Sequence, residues 1–312
     1  MIHHDSLSTY KTKRVIIQTT RFLINIAQNL EDALQKAGYV TAIKDAAQID
    51  VIMRQQTVPR DVFFIFLFVW HVQTLPMNNP FVIYNLEQVQ RYKEFPHIDQ
   101  DPEKRDRIEN AFRLATRIFD YSLANIENYP SFMQDKAVFF PIPWKMQAIP
   151  SFVQPIYDII FFGSMTERRL AILKSIKDNT SLNLLVIRGS QGKYGQDLYK
   201  AIRSAKLVLN IHAEKDSLLE TARLHDCLCC GHNKIISEKP TLRDSAAMSL
   251  YSPVINFVEE VSDDLSNIDV LIAKIADILC DNISNLGLSD ATDNLAAYIN
   301  DVTSEVLRKQ RY

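Results

Sequence analysis

Residues 205–231, AKLVLNIHAEKDSLLETARLHDCLCCG, contain a buried strand, a polar turn and a helix in the order that an α/β ligand site requires. The run Lys206–Ile211 is almost continuously apolar, which is typical of a parallel strand covered on both faces. Ser217 and Glu220 have the S-x-x-E spacing of a capping box, so we expect a helix to open at Ser217. Helix N-termini at the carboxyl ends of parallel strands favour anions. The turn is therefore a predicted phosphate site.

The predicted helix carries three charged residues at steps of three, Glu220, Arg223 and Asp226. Side chains at that spacing are neighbours on one helix face. Two interpretations stay open, a solvated face of salt bridges or the wall of a ligand site. Gly231 is the residue type that favours a left-handed helix end.

Composition limits the classes of protein to consider. The chain has 312 residues, enough for two domains, and its 47% hydrophobic and 23% charged residues are typical of a globular protein. A net charge of −2 without a Lys/Arg block argues against nucleic acid and allows at most peripheral membrane contact. The opening stretch MIHHDSLSTYKTKR has no signal-peptide core, and the longest apolar run, Val62–Trp70, is too short to span a bilayer. We therefore expect a cytoplasmic protein with small-molecule or glycan partners.

The four cysteines indicate a reducing compartment. Cys229 and Cys230 are adjacent, and no second Cys or His cluster accompanies them, which counts against zinc. We expect the cysteines crowded at positions 227–230 to be small core residues, and we predict no metal site.

The first half of the chain alternates strands and helices. Predicted strands cover residues 14–18, 39–43, 50–53, 62–69, 81–88 and 137–140, and predicted helices cover residues 21–36 and 102–119. The turn QTTR after the first strand has no glycine, so the G-x-G-x-x-G fingerprint is absent and a dehydrogenase is disfavoured. Polar residues follow two of the strands, and among them His71 and Glu87 are either cleft residues or ordinary surface residues.

Prolines predict a domain boundary near residue 150. Ten of the twelve prolines lie between Pro59 and Pro155, and the last four of these stand close together before a new strand, as in a stiff linker. Predicted strands beyond the boundary cover residues 158–162, 182–187, 206–211, 234–237 and 254–258, and amphipathic helices cover residues 265–280 and about 291–308.

The first strand of this second half leads directly into the turn Gly163–Ser164. Arg168 and Arg169 follow at the start of a predicted helix, an arrangement that again suits phosphate. Five of the seven glycines lie between Gly163 and Gly231, so backbone that a ligand can approach closely is concentrated in the loops of this half.

Several segments together resemble glycosyltransferases with the GT-B architecture. DIIFFGSMTERR, GKYGQDLYKAIRSAKLVLNIH, SLLETARLHDCLCCG and IISEKP are similar in order and spacing to the donor-binding half of these enzymes, and FVIYNLEQVQ, FDYSLANIE and FFPIP are similar to their first domain and linker. The resemblance implies an α/β fold with two Rossmann-like domains facing across a cleft. Residues 1–150 would form the acceptor side and residues 151–290 the nucleotide-sugar side, with a helix in residues 291–312 crossing back.

The resemblance also implies a set of donor-site residues. In the family a basic residue after the glycine turn meets the phosphates, which points to Arg168 or Arg169, and an acid at the position of Asp226 holds the ribose. A second acid of the large retaining families is replaced by Leu218, and Glu220 is its nearest substitute. The implied set is Gly163, Ser164, Arg168, Arg169, Lys193, His212, Ser217, Leu218, Glu220, Arg223 and Asp226.

The implied activity is metal-independent transfer of a sugar from a nucleotide diphosphate to a glycan or glycolipid in surface polysaccharide or lipopolysaccharide assembly. The donor would be a nucleotide sugar, with a UDP-sugar favoured, and no further cofactor is expected. An inverting reaction needs a base in the first domain, for which Glu87 and His71 are the candidates, whereas a retaining one does not. Two alternatives stay open: a non-catalytic nucleotide-sugar-binding member of a glycan-assembly complex, which Leu218 and Asp226 permit, and a sugar-nucleotide epimerase.

Overall fold

The structure is a computed structural model that describes residues 14–55, 58–88, 102–145, 154–189, 192–231, 234–280, 295, 297, 299–302 and 304–306. These residues form two parallel β-sheets flanked by helices, which confirms the expected α/β fold with two Rossmann-like domains. Within the described ranges, none of the helices combines the length and the apolar character needed to cross a membrane.

The first sheet has six parallel strands in the order β2-β1-β3-β4-β5-β6. Its strand order reverses between β1 and β3, and ligands of open α/β sheets bind beside such a switch point. The strands β3 and β4 are buried on both faces because helices cover both sides of the sheet. The strands are β1 (Arg14–Gln18), β2 (Val40–Lys44), β3 (Val62–Phe66), β4 (Phe81–Asn85), β5 (Arg117–Asp120) and β6 (Ala137–Phe139).

The helices around this sheet pack through apolar stripes. Ile26, Leu30 and Leu34 recur at helical spacing along the first of them and are buried against Val15 and Ile17 of β1. A short 3₁₀ helix at Arg21–Leu23 precedes this first helix. The helices are α1 (Ile24–Lys36), α2 (Ala46–Gln55), α3 (Pro102–Leu114), α4 (Leu123–Glu127) and α5 (Ser131–Gln134).

The second sheet repeats the same topology with five parallel strands in the order β11-β10-β9-β7-β8, so its switch point lies between β7 and β9. Its strands are β7 (Tyr157–Gly163), β8 (Leu184–Arg188), β9 (Ala205–Asn210), β10 (Ile235–Glu238) and β11 (Asn256–Val258). Its helices are α6 (Glu167–Asn179), α7 (Gly195–Arg203), α8 (Thr221–Cys229), α9 (Ser245–Tyr251) and α10 (Ile268–Cys280).

Two predicted elements of the first half are wrong. Residues 50–53 lie in helix α2, which opens with a reciprocal capping box: the Gln48 N–H donates to Asp45 Oδ1 (2.8 Å), and the Asp45 N–H donates to Gln48 Oε1 (3.1 Å). The helix predicted over 102–119 ends at Leu114. Residues 117–120 instead form β5, because both faces of this segment are buried between β4 and β6.

The predicted start of the donor-side helix at Ser217 is also wrong, since α8 begins at Thr221. The Ser217 hydroxyl donates to the Glu214 carbonyl (2.8 Å) instead of capping a helix. The N–H groups that a helical turn would use go to other elements: that of Leu218 donates to the Gln88 side chain (3.2 Å) and that of Leu219 to Asp244 (2.8 Å). Tertiary hydrogen bonds therefore compete successfully with local helix formation here.

The carboxyl ends of the two sheets face each other. Gln88, after β4, bonds both backbone groups of Leu218 after β9 at 3.2 Å, and Ser122, after β5, donates to Asp244 after β10 at 3.3 Å. The C-terminal helical residues contact both halves: Leu295 and Ile299 are buried in the core of the second sheet, and Val306 packs against the core of the first.

Candidate functional site

The turn after β7 and the loop after β9 lie together at the switch point of the second sheet. Thr166 accepts a hydrogen bond from the Arg169 N–H (3.3 Å) and so caps α6, while its hydroxyl donates to the Ala213 carbonyl (3.1 Å). The predicted order of strand, glycine turn and helix is confirmed.

Arg169 is buried at the centre of this region, with 1% of its surface exposed. Its Nη2 donates to both carboxylate oxygens of Glu220 at 2.6 and 2.9 Å. Its Nε donates to the Ile211 carbonyl (2.9 Å), and its Nη1 donates to the Ser164 carbonyl and hydroxyl at 3.0 and 2.9 Å. The guanidinium therefore fastens the β7 turn to the end of β9.

Arg223, on α8, shares the same carboxylate. Its Nη1 lies 2.7 Å from Glu220 Oε2 and 2.9 Å from Asn210 Oδ1. Burial alone would raise the pKa of Glu220, but Arg223 and Arg169 outweigh it and hold that pKa below its ordinary value. Two cations and one ionised carboxylate leave a charge of +2 − 1 = +1 at this point.

Gly163 lets the Arg223 guanidinium approach the turn. The glycine has φ +139°, and a Cβ placed on it would lie 2.9 Å from Arg223 Nη2. That nitrogen has no hydrogen-bond partner among the described residues, whereas Nη1 is fully engaged. The N–H groups of Arg223 Nη2 therefore lie beside the glycine turn, and the charge of this guanidinium is partly offset by Glu220.

Arg168, the other candidate, has different partners. It forms a bidentate pair with Glu238 at 2.9 and 2.6 Å and also donates to the carbonyls of His212 (2.9 Å) and Val261 (2.8 Å). These contacts clamp α6 to β10. The phosphate contact predicted for Arg168 stays a prediction, and the geometry favours Arg223 for that role.

In the part of the chain that the structure describes, His212, Glu238 and Glu260 form a cluster that could hold a metal ion, since one ligand atom from each lies within 4.8 Å of the others. Glu238, however, already accepts hydrogen bonds from Arg168 and from the N–H groups of His212 (2.7 Å) and Val261 (2.8 Å). A cation would have to displace a guanidinium, so the donor set fits this hydrogen-bond network better than a metal. His212 Nε2 is buried and has no hydrogen-bond partner among the described residues.

Three of the implied donor-site residues, Asp226, Leu218 and Ser217, make structural contacts. Asp226 accepts a hydrogen bond from Asn25 of the first half at 2.8 Å, and Leu218 is fully buried. The solvated-face interpretation of α8 is wrong, because the side chains of Glu220, Arg223 and Asp226 are only 10–13% exposed. The ribose contact of Asp226 stays a prediction.

Lys193 is exposed before α7 and has no described contact with the arginine network. Its neighbour Tyr194 donates from its hydroxyl to the Gly189 carbonyl (2.9 Å). A Cβ on Gly189 would lie 3.7 Å from Gly163 and Ser164, so this loop abuts the glycine turn.

The two candidate bases, Glu87 and His71, have no described contact with each other. Glu87 is half-buried after β4, and its carbonyl accepts from Asn85 (2.8 Å) and Asn125 (2.9 Å). His71 is exposed at the end of a 3₁₀ helix, with its ring 4.6 Å from that of Phe68. Burial and Lys104 lower the pKa of His71, so its imidazole is neutral at physiological pH and able to accept a proton. Their catalytic roles stay predictions.

Two buried acids at the sheet edges were missed by sequence reasoning. Asp120 ends β5 and accepts hydrogen bonds from Tyr129 (2.5 Å) and Ser122 (2.8 Å), and burial raises its pKa to about 7. Burial likewise raises the pKa of Asp244 to about 6. The sequence pattern predicts a helix up to residue 119, so it does not place Asp120 at the end of a strand, although an acid directly after the apolar pair IF is typical of a strand end.

Comparison with known proteins leaves the family of this chain open. No protein-family model matches the sequence. The chain is 29% identical over 180 residues to the uncharacterized protein L140 of Acanthamoeba polyphaga mimivirus, which covers 54% of this chain; the chain spans 57% of the length of that relative.

Similar solved structures include glycosyltransferases. TarM has a TM-score of 0.49 and 8% identity over 85% of this chain and 57% of its own. The spinosyn rhamnosyltransferase SpnG, solved with thymidine diphosphate, has a TM-score of 0.44 and 12% identity, with coverages of 96% and 100%. The glycosyltransferase VinC, also solved with dTDP, has a TM-score of 0.44 and 10% identity, with coverages of 95% and 99%. The chain itself has the two parallel sheets, with their carboxyl ends facing each other, that the sequence resemblance implied.

Proposed function

We propose that this protein is a glycosyltransferase that binds the diphosphate of a nucleotide sugar at the Gly163 turn and transfers the sugar to a glycan or glycolipid. The observation that carries the proposal is the shared carboxylate: Arg169 and Arg223 both bind Glu220, and Arg223 Nη2 is left unpaired beside Gly163. A diphosphate is the ligand chemistry that such a fixed, partly neutralised cation favours.

The same geometry suits the reaction. Breaking the bond between the anomeric carbon and the phosphate places negative charge on the departing nucleoside diphosphate. A cation held in position by Glu220 and Asn210 stabilises that charge without reorganising. Fixed guanidinium charge supports a reaction without a metal, and UDP and dTDP are the first nucleotides to examine.

Replacing Arg223 by Met tests the proposal, because Glu220 keeps its bidentate contact with Arg169 and the fold should survive. We expect the affinity for UDP or dTDP, measured by calorimetry, to fall about tenfold or more, since a hydrogen bond to a charged group contributes about 1.5–3 kcal/mol. Arg54→Met, at an exposed position on α2, is the control and should bind as the wild type does. Equal affinity in the two variants, or no nucleotide binding by the wild type, would overturn the proposal.

A non-catalytic nucleotide-sugar-binding protein is the second candidate. It is favoured by one observation: the two positions where related enzymes carry acids hold a fully buried Leu218 and an Asp226 bound to Asn25. Nucleotide binding that depends on Arg223, without nucleotide release from any donor and acceptor pair, would identify this candidate.

A further inference from the structure

A pocket of about 360 Å³ opens between the first strands of the first sheet and the loop before α7. Its volume lies within the range of small-molecule sites. Both halves of the chain contribute to its wall, which comprises Thr19, Thr20, Arg21, Ile24, Ile43, Lys44, Asp45, Gln48, Tyr194 and Gly195. We call it the Arg21 pocket.

Two cations of the Arg21 pocket have no described ion pair. Arg21 comes after β1 and Lys44 is the last residue of β2, and neither side chain has an ion pair or hydrogen bond among the described residues. The acid in the wall, Asp45, is already used: its Oδ1 accepts from the Gln48 N–H at the start of α2, where the helix dipole favours negative charge. With two cations and the one carboxylate of Asp45, the wall of the pocket keeps a net positive charge.

The rest of the wall suits a sugar. Tyr194 supplies an aromatic ring of the kind on which a pyranose stacks, held in place by the hydrogen bond from its hydroxyl to the Gly189 carbonyl (2.9 Å). The Gln48 side-chain amide and the Tyr194 ring together offer a polar ligand both hydrogen bonds and an apolar face.

The Arg21 pocket adjoins the proposed diphosphate turn. Gly189, whose carbonyl accepts the hydrogen bond from Tyr194, packs against Gly163 and Ser164. A Cβ placed on Gly195 would lie 3.9 Å from Asn25 Oδ1. The pocket is thus the neighbouring compartment of the same cleft, lined mainly by the first half of the chain.

We infer that the Arg21 pocket holds the acceptor and selects a sugar that carries a phosphate or carboxylate group, which Arg21 and Lys44 bind. The role of the bound sugar as an acceptor rests on the proposed transferase function. The preference for an acidic sugar depends on the pocket alone.

Binding of three probes tests the inference: glucose 6-phosphate, glucuronic acid and methyl glucoside. We expect the wild type to bind at least one acidic sugar tenfold or more tightly than neutral methyl glucoside, and the two acidic probes distinguish phosphate from carboxylate. The variant Arg21→Gln/Lys44→Gln should lose that preference, whereas Arg54→Gln/Lys177→Gln, which removes two exposed cations elsewhere, should keep it. Neither double change removes a described contact, so both variants should fold.

Measuring UDP and dTDP affinity on the same variants separates the two proposals. Unchanged nucleotide affinity in Arg21→Gln/Lys44→Gln supports a separate acceptor pocket. Acidic sugars that bind no tighter than methyl glucoside, or that bind the pocket variant equally well, overturn the inference whatever the nucleotide result. Acidic-sugar binding through Arg21 and Lys44 without any nucleotide binding would support the preference of the pocket and overturn the transferase function.

Discussion

Glu220 forms ion pairs with two largely buried guanidinium groups, those of Arg169 and Arg223. Its negative charge offsets the free-energy cost of burying these two cations. Glu220→Gln keeps the size of the side chain but leaves Arg169, 1% exposed, without a carboxylate. We expect a loss of about 3–5 kcal/mol in the free energy of unfolding, because breaking a buried pair from one side leaves an uncompensated charge. Urea unfolding measures it. Glu167→Gln, at an exposed position on α6, should change stability by no more than about 0.5 kcal/mol. Similar losses in both variants would contradict the assignment.

Gly163 is required for two separate reasons, its backbone conformation and its contact with Arg223. Gly163→Ala places a methyl group 2.9 Å from Arg223 Nη2 at φ +139°. We expect strain of about 1–3 kcal/mol together with a tenfold or greater loss of nucleotide affinity, because the guanidinium must move. Gly38→Ala is the matched control, since Gly38 has φ +88° but no atom within 4 Å of its added Cβ. It should lose stability without losing affinity, and a parallel affinity loss there would contradict the role of Arg223.

At the scale of elements, α1 and α8 join the two halves through buried polar contacts. Asn25 donates to Asp226 (2.8 Å), and Asn29 Nδ2 lies 2.9 Å from His225 Nε2. His225 Nε2 also lies 3.0 Å from the Pro143 carbonyl. Such contacts restrict sliding of one helix along the other, because any shift would leave buried polar groups unpaired.

A double-mutant cycle distinguishes this interface role of Asp226 from ribose binding. We expect Asn25→Ala and Asp226→Ala each to destabilise the protein, with a coupling energy of about 1 kcal/mol, and to leave nucleotide affinity within threefold of the wild type. Gln28→Ala, at an exposed position on α1, should be additive with Asp226→Ala. A tenfold loss of affinity in Asp226→Ala alone would instead establish the ribose contact.

For the whole molecule, the buried acid Asp120 predicts how stability depends on pH. Burial raises its pKa from 3.8 to about 7, so between these values the folded protein holds a proton that the unfolded chain has released. Stability should therefore fall as pH rises from about 4 to 7, by up to about 4 kcal/mol from this group. Asp244 acts in the same direction up to about pH 6.

Urea unfolding at several pH values from 4.5 to 7.5, a range of about three units, tests this expectation. Asp120→Asn cannot ionise and should flatten the slope, whereas Asp135→Asn, at an exposed position, should retain it. An unchanged slope in Asp120→Asn would show that other groups control the dependence.

Much of the fold was predictable because each parallel strand is a short apolar run followed by a polar turn, as in β1, β4, β7 and β9. The crowded cysteines 227, 229 and 230 are buried, as expected. The strand predicted at 50–53 is wrong because a short apolar run fits the period of a strand and that of a helix equally well, and the Asp45/Gln48 capping box selects the helix.

The sequence by itself determined the two α/β sheets, the glycine turn after β7 and the residue types of the proposed phosphate site, because these depend on local patterns of apolar and polar residues. Only the tertiary structure decided which charges are available. Arg168 and Arg169 stand side by side in the chain and Arg223 lies far from them. Glu238 binds Arg168 and Glu220 binds Arg169, whereas Arg223 Nη2 lies beside Gly163 without a hydrogen-bond partner among the described residues. Ion pairs between residues far apart in the chain depend on how the strands are ordered, and that order is set by packing of the whole sheet.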